Sequence, residues 1–197
     1  MGEGPPTVRV GLDGSVLRQF NTGTEEFIES LVRGLYRIGV NLCGIGCAKP
    51  LEPDQERLGQ PLREKRPPWA KWRWETAGLV SEAAAAGVNV LHIPYMAHPP
   101  GALALPTVVN VHDVIPYRFP AYQRRFRDRQ YFKALRGRLQ FATRLVAVSR
   151  ATADDFAVVF PHLTDRLEVI PIGPDEAYHA LPTAEGAAEL AAVVPAS

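Results

Sequence analysis

Segments of strand-type and helix-type sequence alternate along the chain, and that alternation constrains the fold more than any other feature. Residues 7–13 are a short β-rich run that ends in Asp13-Gly14 and gives way to a loop. Phe27, Ile28, Leu31, Val32, Leu35 and Ile38 then recur at steps of three and four, which places them on one helical face. Thr22 and Glu25 have the spacing of a capping box, and Gly39 suits the stop. Residues 40–47 read as a second strand. Strand, helix and strand in direct succession predict a crossover whose two strands run parallel.

The pattern continues downstream. Residues 48–68 are rich in Pro and charge without periodicity, which predicts a long mobile loop. A helix is expected over about 71–86, closed by Gly87, then a strand over 88–93 and a Pro-rich connection over 95–106. Residues 107–111 read as a fourth strand that ends at His112-Asp113 and runs into a proline-containing loop over 115–120. From Tyr122 onward Phe126, Phe132, Leu135, Leu139 and Ala142 fall on one helical face, and the opposite face is arginine. Residues 145–148 form a fifth strand, Ser149 caps a short helix that Pro161 stops, and 167–170 form a sixth strand. The expected class is α/β: a doubly wound, mostly parallel sheet flanked by helices, whose ligand site lies outside the carboxyl ends of the strands. After Gly173 the periodicity fades, and the Ala-rich end reads as a tail or linker over 180–197.

Composition supports one soluble domain: 197 residues, 46% hydrophobic and 22% charged, suffice for one core. No N-terminal stretch is long and apolar enough for a signal peptide, and no run approaches the roughly 20 apolar residues of a membrane span, so a cytoplasmic protein is expected. Cys43 and Cys47 lie too far apart along a strand to bridge and are expected as reduced core residues. The net charge of +1 conceals an asymmetry: residues 57–150 carry 16 basic against 5 acidic side chains, while both flanks are acidic. A basic middle favours anionic partners, whether phosphates, nucleic acid or acidic lipid.

Several residues at the strand ends can carry chemistry. Thr22, Gly23 and Thr24 precede a helix N-terminus, where free N–H groups and the helix dipole favour an anion; read locally, one glycine before a helix is more often a simple turn. His112 and Asp113 should emerge at the carboxyl edge, suited to binding or proton transfer, or else to satisfying a carbonyl and capping the next turn. His92 is expected to pack in the core, and the spacing of His92, His98 and His112 matches no common zinc pattern, so no metal is expected. Trp69, Trp72 and Trp74 interleave with Lys71 and Arg73. The tryptophans are expected to pack on the sheet, and some of the arginines over 124–138 to meet lipid or phosphate.

In order, these pieces resemble the N-terminal domain of group 1 (family 4) glycosyltransferases of the GT-B fold. "VRVGLDGSVLRQFNTGTEEFIESLVRGLYRIGV" resembles the family's first strand, glycine loop and first helix, and "TVVNVHDVIPYRFP" its strand with the His-Asp pair. "RLVAVSRATADDF" resembles its Ser-capped helix and "RLEVIPIGPDEAYH" the approach to the interdomain linker. The resemblance spans residues 7–179 and implies a Rossmann-like, acceptor-side domain. A second domain would bind the nucleotide-sugar donor; no cofactor is held by the protein itself. It implies that His112, with Asp113 beside it, faces the sugar being transferred, and that Gly23 lies near the donor phosphates. Asp13, Tyr95 and His98 would shape the acceptor side, with Ser149 and Arg150 near the cleft floor.

The chain departs from the family pattern where Pro171-Ile172-Gly173 stands for the usual Pro-Asn-Gly, and where Thr24 and Glu25 follow Gly23. The donor-binding domain is expected to be absent and the isolated chain inactive, with retention implied for the whole enzyme. The partners implied are a saccharide or lipid-linked acceptor, the second domain and an anionic membrane surface, with nucleic acid disfavoured. The alternative is a non-catalytic binding module for nucleic acid or anionic membrane. A nucleotide-dependent oxidoreductase is disfavoured because the first turn lacks G-x-G-x-x-G.

Overall fold

The computed structural model describes residues 8–17, 22–47 and 68–173, the last without the side chains of residues 68–70. Six strands form one sheet in the order β2-β1-β3-β4-β5-β6: β1 (Arg9–Asp13), β2 (Asn41–Ile45), β3 (Val90–Ile93), β4 (Thr107–Val111), β5 (Arg144–Ala147) and β6 (Leu167–Val169). Every pairing is parallel, so the expected mostly parallel sheet is fully parallel. Strand order turns back beside β1, which is the switch point that opens a crevice at the carboxyl edge in Rossmann-like folds.

Helix α1 (Gly23–Arg37) joins β1 to β2, with Thr22 as N-cap and the full capping box closed by Glu25. Its apolar side, Ile28 and Val32, packs on Leu12 and Leu42. The return from β2 to β3 runs through α2 (Pro68–Arg73) and α3 (Leu79–Ala85), where the sequence predicts one helix from about residue 71. Between them, Trp74–Gly78 is a π-helical turn. It turns Trp74 onto two glycines: a Cβ on Gly46 would sit 2.4 Å from the indole, and one on Gly78 2.7 Å from it. Gly46 also holds φ +63, so a side chain there is excluded twice over.

The larger core lies on the other face of the sheet from α1. There Leu91, Ile93, Val109, Val111 and Leu145 meet Leu79 and Ala83 of α3, Leu135 of α5 (Phe126–Arg138) and Phe156 of α6 (Arg150–Val159). Full burial of each such side chain contributes about 1.5–3 kcal/mol relative to exposure. Phe156 stacks on Phe160, ring centroids 4.7 Å apart.

Four expectations need correction. Phe126 does not join the buried face of its helix: that helix starts at Phe126 itself, with Pro120–Gln123 a separate 3-10 turn, and the ring is 65% exposed. Trp72 is 54% exposed, so of the tryptophans whose side chains are described only Trp74 packs in the core. His92 is half-buried and faces away from that core, bonded to Asn110 at 2.6 Å. Residues 115–120, read as a loop, include a short helix α4 (Ile115–Arg118). Cys43 and Cys47 are buried free thiols. The loop expected over 48–68 lies, up to residue 67, outside the described residues, as does everything after Gly173.

Candidate functional site at the carboxyl edge of the sheet

Four strands deliver polar groups to one edge. Asp13 ends β1, and its carboxylate, wholly buried, accepts from the Ser15 amide at 2.9 Å, the Tyr95 hydroxyl at 2.5 Å and the Trp74 indole N–H at 3.3 Å. Burial pushes the Asp13 carboxyl up, and these three donors pull the other way. Tyr95 follows β3, and its hydroxyl also lies 3.3 Å from Ser15 Oγ. Burial first, then the neighbouring charges of Asp13 and Glu75, raise the Tyr95 phenol well above its ordinary range, so it stays a donor.

His112 follows β4 and is half-buried. Its Nε2 lies 3.0 Å from the Pro94 carbonyl, an acceptor only, so Nε2 carries the hydrogen and Nδ1 of the neutral ring keeps its lone pair. Phe27 of α1 meets the imidazole edge to face, centroids 4.7 Å apart. Phe27 is one helical turn beyond Gly23, so this contact brings the α1 N-terminus alongside His112. The capping box occupies the Thr22 and Glu25 amides, while those of Gly23 and Thr24 have no partner among the described residues. A Cβ on Gly23 would meet nothing within 4 Å, so that position is uncrowded among the described residues.

Ser149 caps α6, its Oγ accepting from the Thr152 amide at 3.1 Å. The Thr152 hydroxyl donates to the His112 carbonyl at 3.1 Å, which ties the start of α6 to the same edge, and Arg150 is exposed there. Asp113 is exposed and spends Oδ1 on the Ile115 amide at 2.9 Å. Of the two roles open to it, the turn cap is the one this geometry displays.

His98 stands apart. It is 1% exposed, with Nδ1 2.6 Å from the Pro99 carbonyl and Nε2 3.1 Å from the Thr107 hydroxyl at the start of β4, the opposite edge of the sheet. Since β3 and β4 are parallel and joined without a helix, residues 94–106 must travel the length of the sheet, and His98 is carried away from Tyr95. Both ring nitrogens are used, and burial lowers its pKa.

The structure adds groups that sequence reading missed. Trp74 reaches Asp13 from the π-helical turn, and beside it Glu75, 2% exposed, accepts from the Tyr131 hydroxyl at 3.2 Å and pairs with Lys71 at 3.6 Å. Burial raises the Glu75 carboxyl; Lys71 and the Tyr131 bond oppose this, and Asp13 adds to it. A polar indole edge that must find an acceptor when buried was the available signal for Trp74. Among the described residues no group of three His, Cys, Asp or Glu side chains is arranged to hold a metal, and no helix is long and apolar enough to cross a membrane.

A helix N-terminus beside a histidine is an arrangement suited to an anionic group. The profile of Glycosyltransferase Family 4 matches residues 21–178. The chain belongs to that family. The match begins before α1 and runs past β6, so it covers the Thr22 to Thr24 loop, Tyr95, His112 and the start of α6. No curated protein matches the chain in a sequence search. As a family 4 domain with a Rossmann-like α/β sheet, the chain is tied to glycosyl transfer.

Proposed function

We propose that this chain forms the acceptor-side wall of a cleft in which a sugar moves from a nucleotide sugar to a saccharide or lipid-linked acceptor. A second domain would carry the donor. The observation that bears most weight is the placement of His112 between the Phe27 ring and the Pro94 carbonyl, next to the Gly23 and Thr24 amides, which have no partner among the described residues. A departing nucleoside diphosphate gains negative charge in the transition state. Two backbone N–H groups at the positive end of α1 stabilise that charge without reorganising. His112, held by one nitrogen, presents the other to the reacting sugar as a positioning contact. The Asp13–Tyr95 pair fixes the wall behind the acceptor, and Ser149 and Arg150 form the floor.

The isolated chain is then an incomplete enzyme, and transfer by the whole would proceed with retention. Titration with saccharides and with nucleotide sugars, followed by NMR, tests this. Saccharide should shift the resonances of His112 and Tyr95, and nucleotide sugar alone should bind weakly and stay intact. Turnover of a nucleotide sugar by residues 1–197 alone would refute the division of labour. Salt-sensitive binding of nucleic acid without any saccharide response would favour the non-catalytic module.

A second partner is supported by one surface. Trp72, Phe119, Tyr122 and Phe126 are each more than half exposed, and Arg124, Arg125, Arg127 and Arg129 lie among them at the start of α5. Aromatic rings beside arginines suit the boundary of an anionic bilayer, and peripheral binding there would bring a lipid-linked acceptor to the cleft. Sedimentation with liposomes should show binding that needs acidic lipid and weakens with salt. Equal binding to neutral liposomes would remove this reading.

A further inference from the structure

Helix α6 begins with a hydroxyl that its cap does not require. Ser149 is the N-cap, and its Oγ accepts from the Thr152 amide at 3.1 Å, a task that Asp, Asn or Ser performs about equally well. The third helical position needs no hydroxyl. Where its side chain takes part in capping, it is usually Glu or Gln reaching back to the N-cap amide. Thr152 stands there instead, β-branched and a weak helix former. Its Oγ1 lies 3.1 Å from the His112 carbonyl and 3.0 Å from Ser149 Oγ.

What each group can do fixes the direction of these bonds. A carbonyl only accepts, so the Thr152 hydrogen goes to His112. The contact between Thr152 and Ser149 must then use the Ser149 hydrogen, while Ser149 Oγ still accepts from the Thr152 amide. Ser149 thus donates to Thr152, and Thr152 to His112. All three residues are half-buried. The His112 side chain is held at two further points by other parts of the chain: Nε2 by the Pro94 carbonyl at 3.0 Å, and the ring by Phe27 of α1 at 4.7 Å. Those contacts act on the imidazole, whereas Thr152 acts on the backbone that carries it. Farther along, Arg118 of α4 pairs with Asp155 of α6, so α6 grips the segment after β4 at two places. Only the first reaches the histidine.

We infer that Thr152 and Ser149 are positioning residues for His112: their paired hydroxyls set the backbone from which the imidazole meets Pro94, and so keep the hydrogen on Nε2 and the lone pair on Nδ1. Ser149 then offers a ligand a lone pair but no hydrogen. What this means for sugar transfer rests on the role proposed for His112; the mounting of the ring does not. Nitrogen-15 spectra of the full chain test it at alkaline pH, where an imidazole is neutral. Wild type should show His112 as one tautomer, with one protonated and one bare nitrogen. Thr152→Val keeps the shape and drops the hydroxyl. It should populate the second tautomer and speed Nε2–H exchange with water about ten-fold, the weight of one hydrogen bond. Thr152→Ser should restore both readings. Ser149→Asp caps equally well but has no hydrogen to give, and it would draw the Thr152 hydrogen to itself. It should therefore act on His112 as Thr152→Val does, with helix content unchanged by circular dichroism. Ala157→Gly, which weakens α6 away from these hydroxyls, should lower Tm and leave the His112 spectrum as it was. A spectrum that neither Thr152→Val nor Ser149→Asp alters overturns the inference, and so does one that Ala157→Gly alters as much. Either result leaves the acceptor-wall reading standing or falling on its own saccharide titration.

Discussion

The two edges of the sheet treat histidine in opposite ways. At the amino edge His98 is sealed, and both ring nitrogens are committed within the protein. At the carboxyl edge His112 commits one nitrogen and is half-buried beside open helix amides. Both belong to the stretch between β3 and the turn after β4, so local sequence does not separate them. The edge does: strand carboxyl ends in a doubly wound fold point their loops at a crevice, while the amino ends close the bottom of the domain. Among the described residues, His98 at the amino edge is fully committed, whereas His112 at the carboxyl edge keeps one ring nitrogen without a partner.

The contrast can be broken most severely through Trp74, which holds Asp13 from below. Trp74→Ala should cost about 3–5 kcal/mol in urea unfolding and loosen the Asp13–Tyr95 pair. Trp74→Phe, which keeps the ring and drops the N–H, should cost far less. His112→Ala should cost under about 1 kcal/mol of stability, yet reduce transfer by an enzyme with both domains about 100-fold through lost positioning. An equal loss of stability from His112→Ala and His98→Ala would erase the distinction between edges. His98→Ala should destabilise by about 1–3 kcal/mol, by stranding the Pro99 carbonyl and opening a void, with saccharide binding unchanged once the protein is folded.

The smallest effect is in pH dependence, and it also differs by edge. Burial lowers the His98 pKa below its ordinary 6.5, so its contribution is fully present above pH 6.5 and is lost as pH falls through that value. Asp13 and Glu75 are raised by burial, so the folded state holds their protons more tightly and their contribution improves as pH falls toward 4. Unfolding free energies between pH 7 and 5 should therefore fall more steeply in Asp13→Asn and less steeply in His98→Ala. Parallel slopes in all three proteins would show that neither burial matters to stability.

Much of the fold was legible because its signals are local. The capping box of Thr22 and Glu25, the run of apolar residues along α1 and the Ser149 cap each lie within one or two turns of sequence, and each element stands where those signals put it. Carboxyl-edge placement of Asp13, Tyr95 and His112 followed from where each strand was expected to end in a parallel sheet. What was not legible depends on distance. Trp74 and Asp13 are 61 residues apart, Tyr131 and Glu75 56, and neither pairing leaves a trace in spacing. His98 was misplaced because a connection without a helix hides its length across the sheet. Phe126 looked buried because periodicity was extended one turn too far, over a segment that Pro120 had already turned into a 3-10 helix.

The π-helical turn at Trp74–Gly78 gives the helix between β2 and β3 one residue more than regular winding would use. That surplus is a reading frame. Deleting Thr76 or Ala77 would let the helix rewind to 3.6 per turn, leaving its two halves in phase but changing where the remaining residues of the turn point. Trp74 would leave its berth between Gly46 and Gly78, and Glu75 would lose Tyr131, without a single side chain having been altered. Substitutions across these five positions would thus be tolerated unevenly, but a change in their number would not be tolerated at all. A chain of this family that lacks the surplus residue should therefore hold its first strand end by some other means.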